Sequence, residues 1–91
     1  MDLDAAERIA RELIAQHCGS AWSFVWSRSK RTLGTTNYRR GTVALSLPHT
    51  LQRNVYEVEE TVRHEIAHVL AGPGVGHGRR WALKCYTLGI A

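Results

Sequence analysis

Residues 62–68 read Val62-Arg63-His64-Glu65-Ile66-Ala67-His68, two histidines four positions apart with a glutamate directly after the first. Four residues of helix turn through about 400° and rise about 6 Å, so imidazoles at that spacing stand nearly one above the other and can share one ion. Neutral imidazole suits zinc, with bonds of about 2.0–2.1 Å. Glu65 falls to one side of the pair, where a carboxylate can take a proton from water without being a ligand. This is the H-E-x-x-H pattern that zinc peptidases carry on a helix. With five histidines and six glutamates in 91 residues, the pattern would arise by chance roughly two times in a hundred.

The flanking residues supply the helix. Asn54 and Glu57 form a capping-box pattern, and Val55, Val58, Val62, Ile66 and Val69 recur at helical spacing until Gly72-Pro73 stops the run. A glycine-rich loop from Gly72 to Gly76 then returns the chain into a last helix from about Gly78 to Leu88, with Gly89 as its C-cap. A catalytic zinc takes three protein ligands and leaves one position open. No Asp or Glu follows Glu65, which excludes a downstream carboxylate as third ligand. A histidine six positions beyond His68 is also excluded, because position 74 is Gly74, and Met1 is the sole methionine, so no Met-turn follows. His77 remains, nine positions past His68, with Cys85, His49 and His17 as weaker candidates.

Upstream, Asp4 and Glu7 read as a capping box for a first helix whose inner face is Ile9, Ala10, Leu13, Ile14 and His17, ending at Gly19. Trp22, Phe24 and Trp26 alternate with Ser23, Val25 and Ser27, the pattern of a half-buried strand. A basic turn at Ser29 to Thr32 leads to a second strand near Leu33 to Tyr38, and Arg39-Arg40-Gly41 turns the chain into a third strand from Thr42 to Leu47, closed by Pro48. The expectation is therefore an α+β domain spanning residues 1–91: N-terminal helix, three-stranded antiparallel meander, motif helix, glycine-rich loop, C-terminal helix.

Composition narrows the class. With 44% hydrophobic and 22% charged residues the chain reads as an ordinary globular protein. The acidic start Met1-Asp2-Leu3-Asp4 is unlike a signal peptide and no apolar run approaches bilayer-spanning length, so a cytoplasmic, membrane-free monomer is expected. Cys18 and Cys85 show no paired spacing and are read as reduced core thiols. The formal charge is +4, with cations grouped at Arg28, Lys30 and Arg31, at Arg39 and Arg40, and at Arg79 and Arg80. Such groups either form a solvated face or meet polyanions such as DNA.

Taken together, Phe24-Val25-Trp26-Ser27, Leu33-Gly34, Leu45-Ser46, His64-Glu65-Ile66-Ala67-His68, His77-Gly78, Trp81 and Leu88-Gly89 resemble the SprT-like (Spartan-related) family of zinc metallopeptidases. The resemblance implies a zincin-like fold, one zinc ion per chain on His64, His68 and His77, and Glu65 as general base acting on a protein or peptide substrate. Family members often carry further zinc-ribbon or DNA-binding segments, which these residues do not include, so the resemblance is to a minimal catalytic core. An extended substrate is expected to add to the edge of the Thr42 to Leu47 strand. Tyr38, Tyr86, Arg39 and Arg79 are the candidates for stabilising an oxyanion. The competing expectation is a nucleic-acid-binding module with a structural zinc, in which the basic turns meet phosphates while Trp22 and Trp26 stack on bases.

Overall fold

The computed structural model describes residues 1–74 and 77–88, with Tyr86 described by its backbone alone. Its elements run α1 (Leu3–Cys18), β1 (Ser23–Ser27), β2 (Gly34–Asn37), β3 (Thr42–Ser46), α2 (Leu47–Leu51), α3 (Val55–Ala71) and α4 (Arg79–Thr87). The α+β class and the expected order of helix, three strands and later helices are as read from the sequence. Gly89, expected as the last C-cap, lies outside the described residues. No helix among the described residues is long and apolar enough to cross a membrane.

The strands do not form an antiparallel meander. Their order is β1-β3-β2, with β3 in the centre, parallel to β1 and antiparallel to β2. The reason lies in burial. Val43, Ala44, Leu45 and Ser46 are all buried, so both faces of β3 are covered, which suits a central strand. By contrast, β2 is Gly34-Thr35-Thr36-Asn37, alternately half-buried and exposed, and takes an edge. The link from β1 to β2 must then cross the end of β3. Ser46 pins that crossing: its hydroxyl donates to Ser29 O at 2.7 Å and its backbone N–H to Leu33 O at 2.9 Å. The β2–β3 hairpin turns where expected, through Gly41 at φ 67°, a left-handed conformation that favours glycine. Because β3 is central, Thr42 to Leu47 offers no free edge, and the expected docking strand is corrected on that ground.

Three further differences concern capping and helix content. α1 starts at Leu3 with Asp2 as N-cap, its carboxylate accepting from Ala5 N. Glu7, expected in a capping box with Asp4, instead accepts from Trp26 Nε1 at 2.8 Å and Arg11 Nε at 2.9 Å, tying α1 to β1 and holding its carboxyl below the usual range. Beyond β3, Pro48 does more than end a strand: it stands in the first turn of the short α2, which Ser46 caps by accepting from His49 N. For α3 the Asn54–Glu57 capping box forms in both directions.

One core holds the layers together. Ala6, Ala10 and Ile14 of α1, Phe24 of β1, Val43 and Leu45 of β3, and Val58, Val62 and Ile66 of α3 are buried against one another. β2 meets α3 at closer range, because Gly34 has no side chain: a Cβ there would lie 3.0 Å from Ala44 O and Thr61 Cγ2 and 3.2 Å from Glu65 Cγ. Gly34→Ala should therefore destabilise the fold by about 1–3 kcal/mol, as overpacking of a tight contact does; an unchanged urea midpoint would contradict the packing described.

Candidate metal centre

The motif residues divide the circumference of α3 among its neighbours. Measured from Ile66, which points into the core, Glu65 lies about 100° round on one side and Ala67 about 100° round on the other, while His64 and His68 both fall about 160° away. Glu65 accordingly meets β2, buried Ala67 packs with Cys85 of α4, and the two histidines are left half-exposed on the outer face.

His77 comes to this face from the turn before α4. Its Nε2 lies 3.0 Å from His68 Nε2, within hydrogen-bonding distance, and the tautomers decide which ring donates. His64 stands apart from them, its Nε2 3.6 Å from Glu60 Oε1 one turn earlier. Among the described residues, no three His, Cys, Asp or Glu side chains have their donor atoms gathered closely enough to hold an ion. The sequence grouped His64, His68 and His77 as ligands; the structure brings His68 and His77 together and leaves His64 beside Glu60.

Trp81, one helical turn past His77, organises all three rings. Its indole stacks on His64 at 5.2 Å between centroids and 26° between planes, lies 5.7 Å from His68, and meets His77 edge-on at 4.6 Å. Its Nε1 donates to His64 O at 3.3 Å. Burial, helped by neighbouring His77 and His64 and opposed by the Glu65 carboxylate, holds His68 below the usual imidazole pKa. The neutral ring, with a lone pair free to accept a proton or a metal, is thereby favoured.

Glu65 is held from β2. The Thr36 hydroxyl lies 2.7 Å from Glu65 Oε1 and 3.1 Å from Glu65 O. Glu65, His64 and His77 line a cleft of about 320 Å³ together with Thr32, Leu33, Gly34 and Thr61. Tyr38, an oxyanion candidate from sequence, spends its hydroxyl on the end of α3, donating to His68 O at 2.7 Å with Gly72 O at 3.3 Å. Burial and then the Glu65 charge push the Tyr38 phenol above its usual range. Arg39 and Arg79 are exposed, and the Tyr86 side chain lies outside the described residues.

The weaker ligand candidates sit elsewhere. Cys85 is a buried free thiol, pushed up in pKa by that burial, and His49 Nε2 is bound to Lys30 O at 2.8 Å. His17 belongs to the last turn of α1. Arg28, Lys30, Arg31, Arg39 and Arg40 are all exposed, but they do not form one patch: the first three lie on the β1–β2 link and the other two on the turn at the opposite end of β2. Trp22 packs edge-on against Tyr38, and Trp26 packs edge-on against Phe24 while bonding Glu7, so both indoles are engaged within the fold. Thr36 and Trp81 were not assigned roles from sequence alone. Their signals were the same-face series Gly34, Thr36, Tyr38 on a strand and an aromatic one helical turn after His77.

This helix-over-sheet frame is a zincin-like metallopeptidase fold, and it is shared with the crystal structure of the metallopeptidase zymogen jannalysin of Methanocaldococcus jannaschii. The two agree with a TM-score of 0.75 at 12% identity, over 90% of this chain and 79% of that one. The sequence profile of the SprT-like family matches residues 4–91, and the chain belongs to that family. No curated protein matches it.

The placement of Trp81 makes it a reporter. Zinc titration is expected to change tryptophan emission in the natural protein and not in Trp81→Phe; equal responses in both would mean that the metal binds away from these three rings.

Proposed function

We propose that the protein is a zinc-dependent endopeptidase, with His64, His68 and His77 as the metal ligands and Glu65 as general base. The observation that carries the reading is the position of Glu65: it lines the same cleft as His64 and His77, next to an open strand edge, which a purely structural metal site does not require. The donor set fits the ion. Zinc bonds of about 2.0–2.1 Å put tetrahedral ligand atoms about 3.3–3.4 Å apart, close to the 3.0 Å between the His68 and His77 nitrogens. His64 completes the set by a change of rotamer on a residue already backed by Trp81.

A bound zinc ion supplies Lewis acidity, polarising a carbonyl and lowering the pKa of water to about 7. Glu65 takes the proton from the attacking water on its carboxylate and returns it to the leaving amine. The neutral state favoured at His68 keeps that ring available as a ligand near pH 7. The free edge of β2, beside Glu65, is where an extended peptide would pair by backbone hydrogen bonds, in place of the edge expected at β3.

A DNA-associated substrate is the second part of the proposal. No Asp or Glu occurs between Glu12 and Glu57, so the sheet and its turns carry Arg28, Lys30, Arg31, Arg39 and Arg40 with no carboxylate side chain of their own. These cations flank both ends of β2, separated by about four residues of strand or ~13 Å. A nucleic-acid-binding module with structural zinc and no catalysis would use the same cations and leave Glu65 without a task.

Three outcomes are expected. Glu65→Gln should retain one zinc per chain and lose hydrolysis of an unfolded protein such as casein by at least ~100-fold; full activity would remove Glu65 from the mechanism. His77→Ala should weaken zinc affinity more than tenfold, and unchanged affinity together with a loss in Cys85→Ala or His49→Ala would reassign the ligand. Binding of labelled DNA should weaken with salt at a log-log slope of about 0.7–0.9 per phosphate contacted. The double variant Arg39→Glu/Arg40→Glu should bind less, and identical binding would mark these residues as a solvated face.

A further inference from the structure

The strongest tie to Glu65 comes from outside its own helix. Thr36 stands on β2 between Gly34 and Tyr38, and alternation along the strand turns all three towards α3. Gly34 makes room beside Glu65 Cγ, Tyr38 bonds His68 O, and Thr36 reaches the carboxylate itself. A hydroxyl carries one proton and can donate it to only one acceptor at a time. Of its two acceptors, the carboxylate oxygen at 2.7 Å is nearer and charged, whereas Glu65 O lies at 3.1 Å. Bonds to an ionised acceptor are the stronger ones. Oε1 is the oxygen held, and Oε2 accepts from no described residue.

We infer that Thr36 is a positioning residue for the general base: its hydroxyl fixes the rotamer of Glu65 so that Oε2 is the oxygen left to exchange a proton in the cleft. This rests on the peptidase reading of Glu65 given above. A glutamate has three side-chain torsions, and an unheld one samples rotamers that carry the carboxylate out of reach of the reacting water. Because Thr36 belongs to the strand on which an extended substrate would pair, substrate and base are referenced to the same four residues. The base is then registered to the scissile bond through β2 and not through α3 alone.

The test compares Thr36→Val, which keeps shape and strand preference while deleting the donor, with Thr36→Ser, which restores the donor. For the zinc-loaded protein acting on a fluorogenic peptide, Thr36→Val is expected to lower kcat at least tenfold with KM within about twofold, zinc content unchanged and the urea midpoint nearly unchanged. Thr36→Ser should recover most of the loss. A Thr36→Val protein with natural kcat, or one whose kcat falls only in step with lost stability, overturns the proposal. A second readout does not need turnover. In protein labelled with 13C at glutamate side-chain carboxyls, the Glu65 resonance, identified by its absence in Glu65→Gln, should move in Thr36→Val and stay in place in Thr36→Ser. If the natural protein cleaves no peptide, the peptidase reading fails while this resonance still decides whether Thr36 holds Glu65; a resonance unmoved by Thr36→Val overturns the positioning claim.

Discussion

Helix α3 has to satisfy four neighbours at once, and the rest of the structure follows from that demand. Val58, Val62 and Ile66 fill the core, Ala67 admits α4, Thr61 and Glu65 face β2, and His64 and His68 lie half-exposed beside Trp81. A rotation of the helix by one residue, about 100°, would drive a charge into the core and bring a valine or isoleucine to the surface. The burial that stabilises the fold is therefore also what aims the motif. Chemistry and folding share one element, and neither can drift without the other.

Strand β2 performs the complementary task. A strand advances about 3.3 Å per residue and shows the same face every second position; a helix advances about 1.5 Å per residue. Gly34, Thr36 and Tyr38 meet α3 and its C-cap at Thr61 and Glu65, at Glu65, and at His68 and Gly72, so three alternate positions along one strand serve about three turns of helix. Each position contributes differently: absence of a side chain, a hydroxyl for a carboxylate, and a phenol for His68 O, which also accepts from Gly72 N.

How much of this was legible in the sequence depends on whether the signal was local. The Asn54–Glu57 cap, the stop at Gly72, the Gly41 turn and the α+β order were readable because each depends on residues a few positions apart. Strand order was not, since a β1-β3-β2 sheet and a meander share the same local alternation and differ only in which strand is covered on both faces. The run Val43-Ala44-Leu45 carried that information, as three consecutive apolar residues where an edge strand would alternate. Asp4 with Glu7 looked like a cap, yet Asp2 lies two residues closer to the start and Glu7 had a better partner in Trp26. The histidine motif was plain from its spacing, whereas Thr36 and Trp81 act across 29 and 17 positions of sequence, where no periodicity reports.

A strand whose edge is open to a substrate is equally open to another copy of itself, and unprotected edges of this kind seed aggregation. β2 has only four residues, none of them a large apolar one. Its ends carry Arg28, Lys30 and Arg31 on one side and Arg39 and Arg40 on the other. If two copies paired antiparallel along this edge, the three cations of each would face the two of the other at both ends of the joint. Such a dimer would gain a few backbone hydrogen bonds and bring ten positive charges together, whereas a peptide without that charge incurs no such repulsion. The polarity and brevity of β2 thus keep the edge available while discouraging the chain from consuming it.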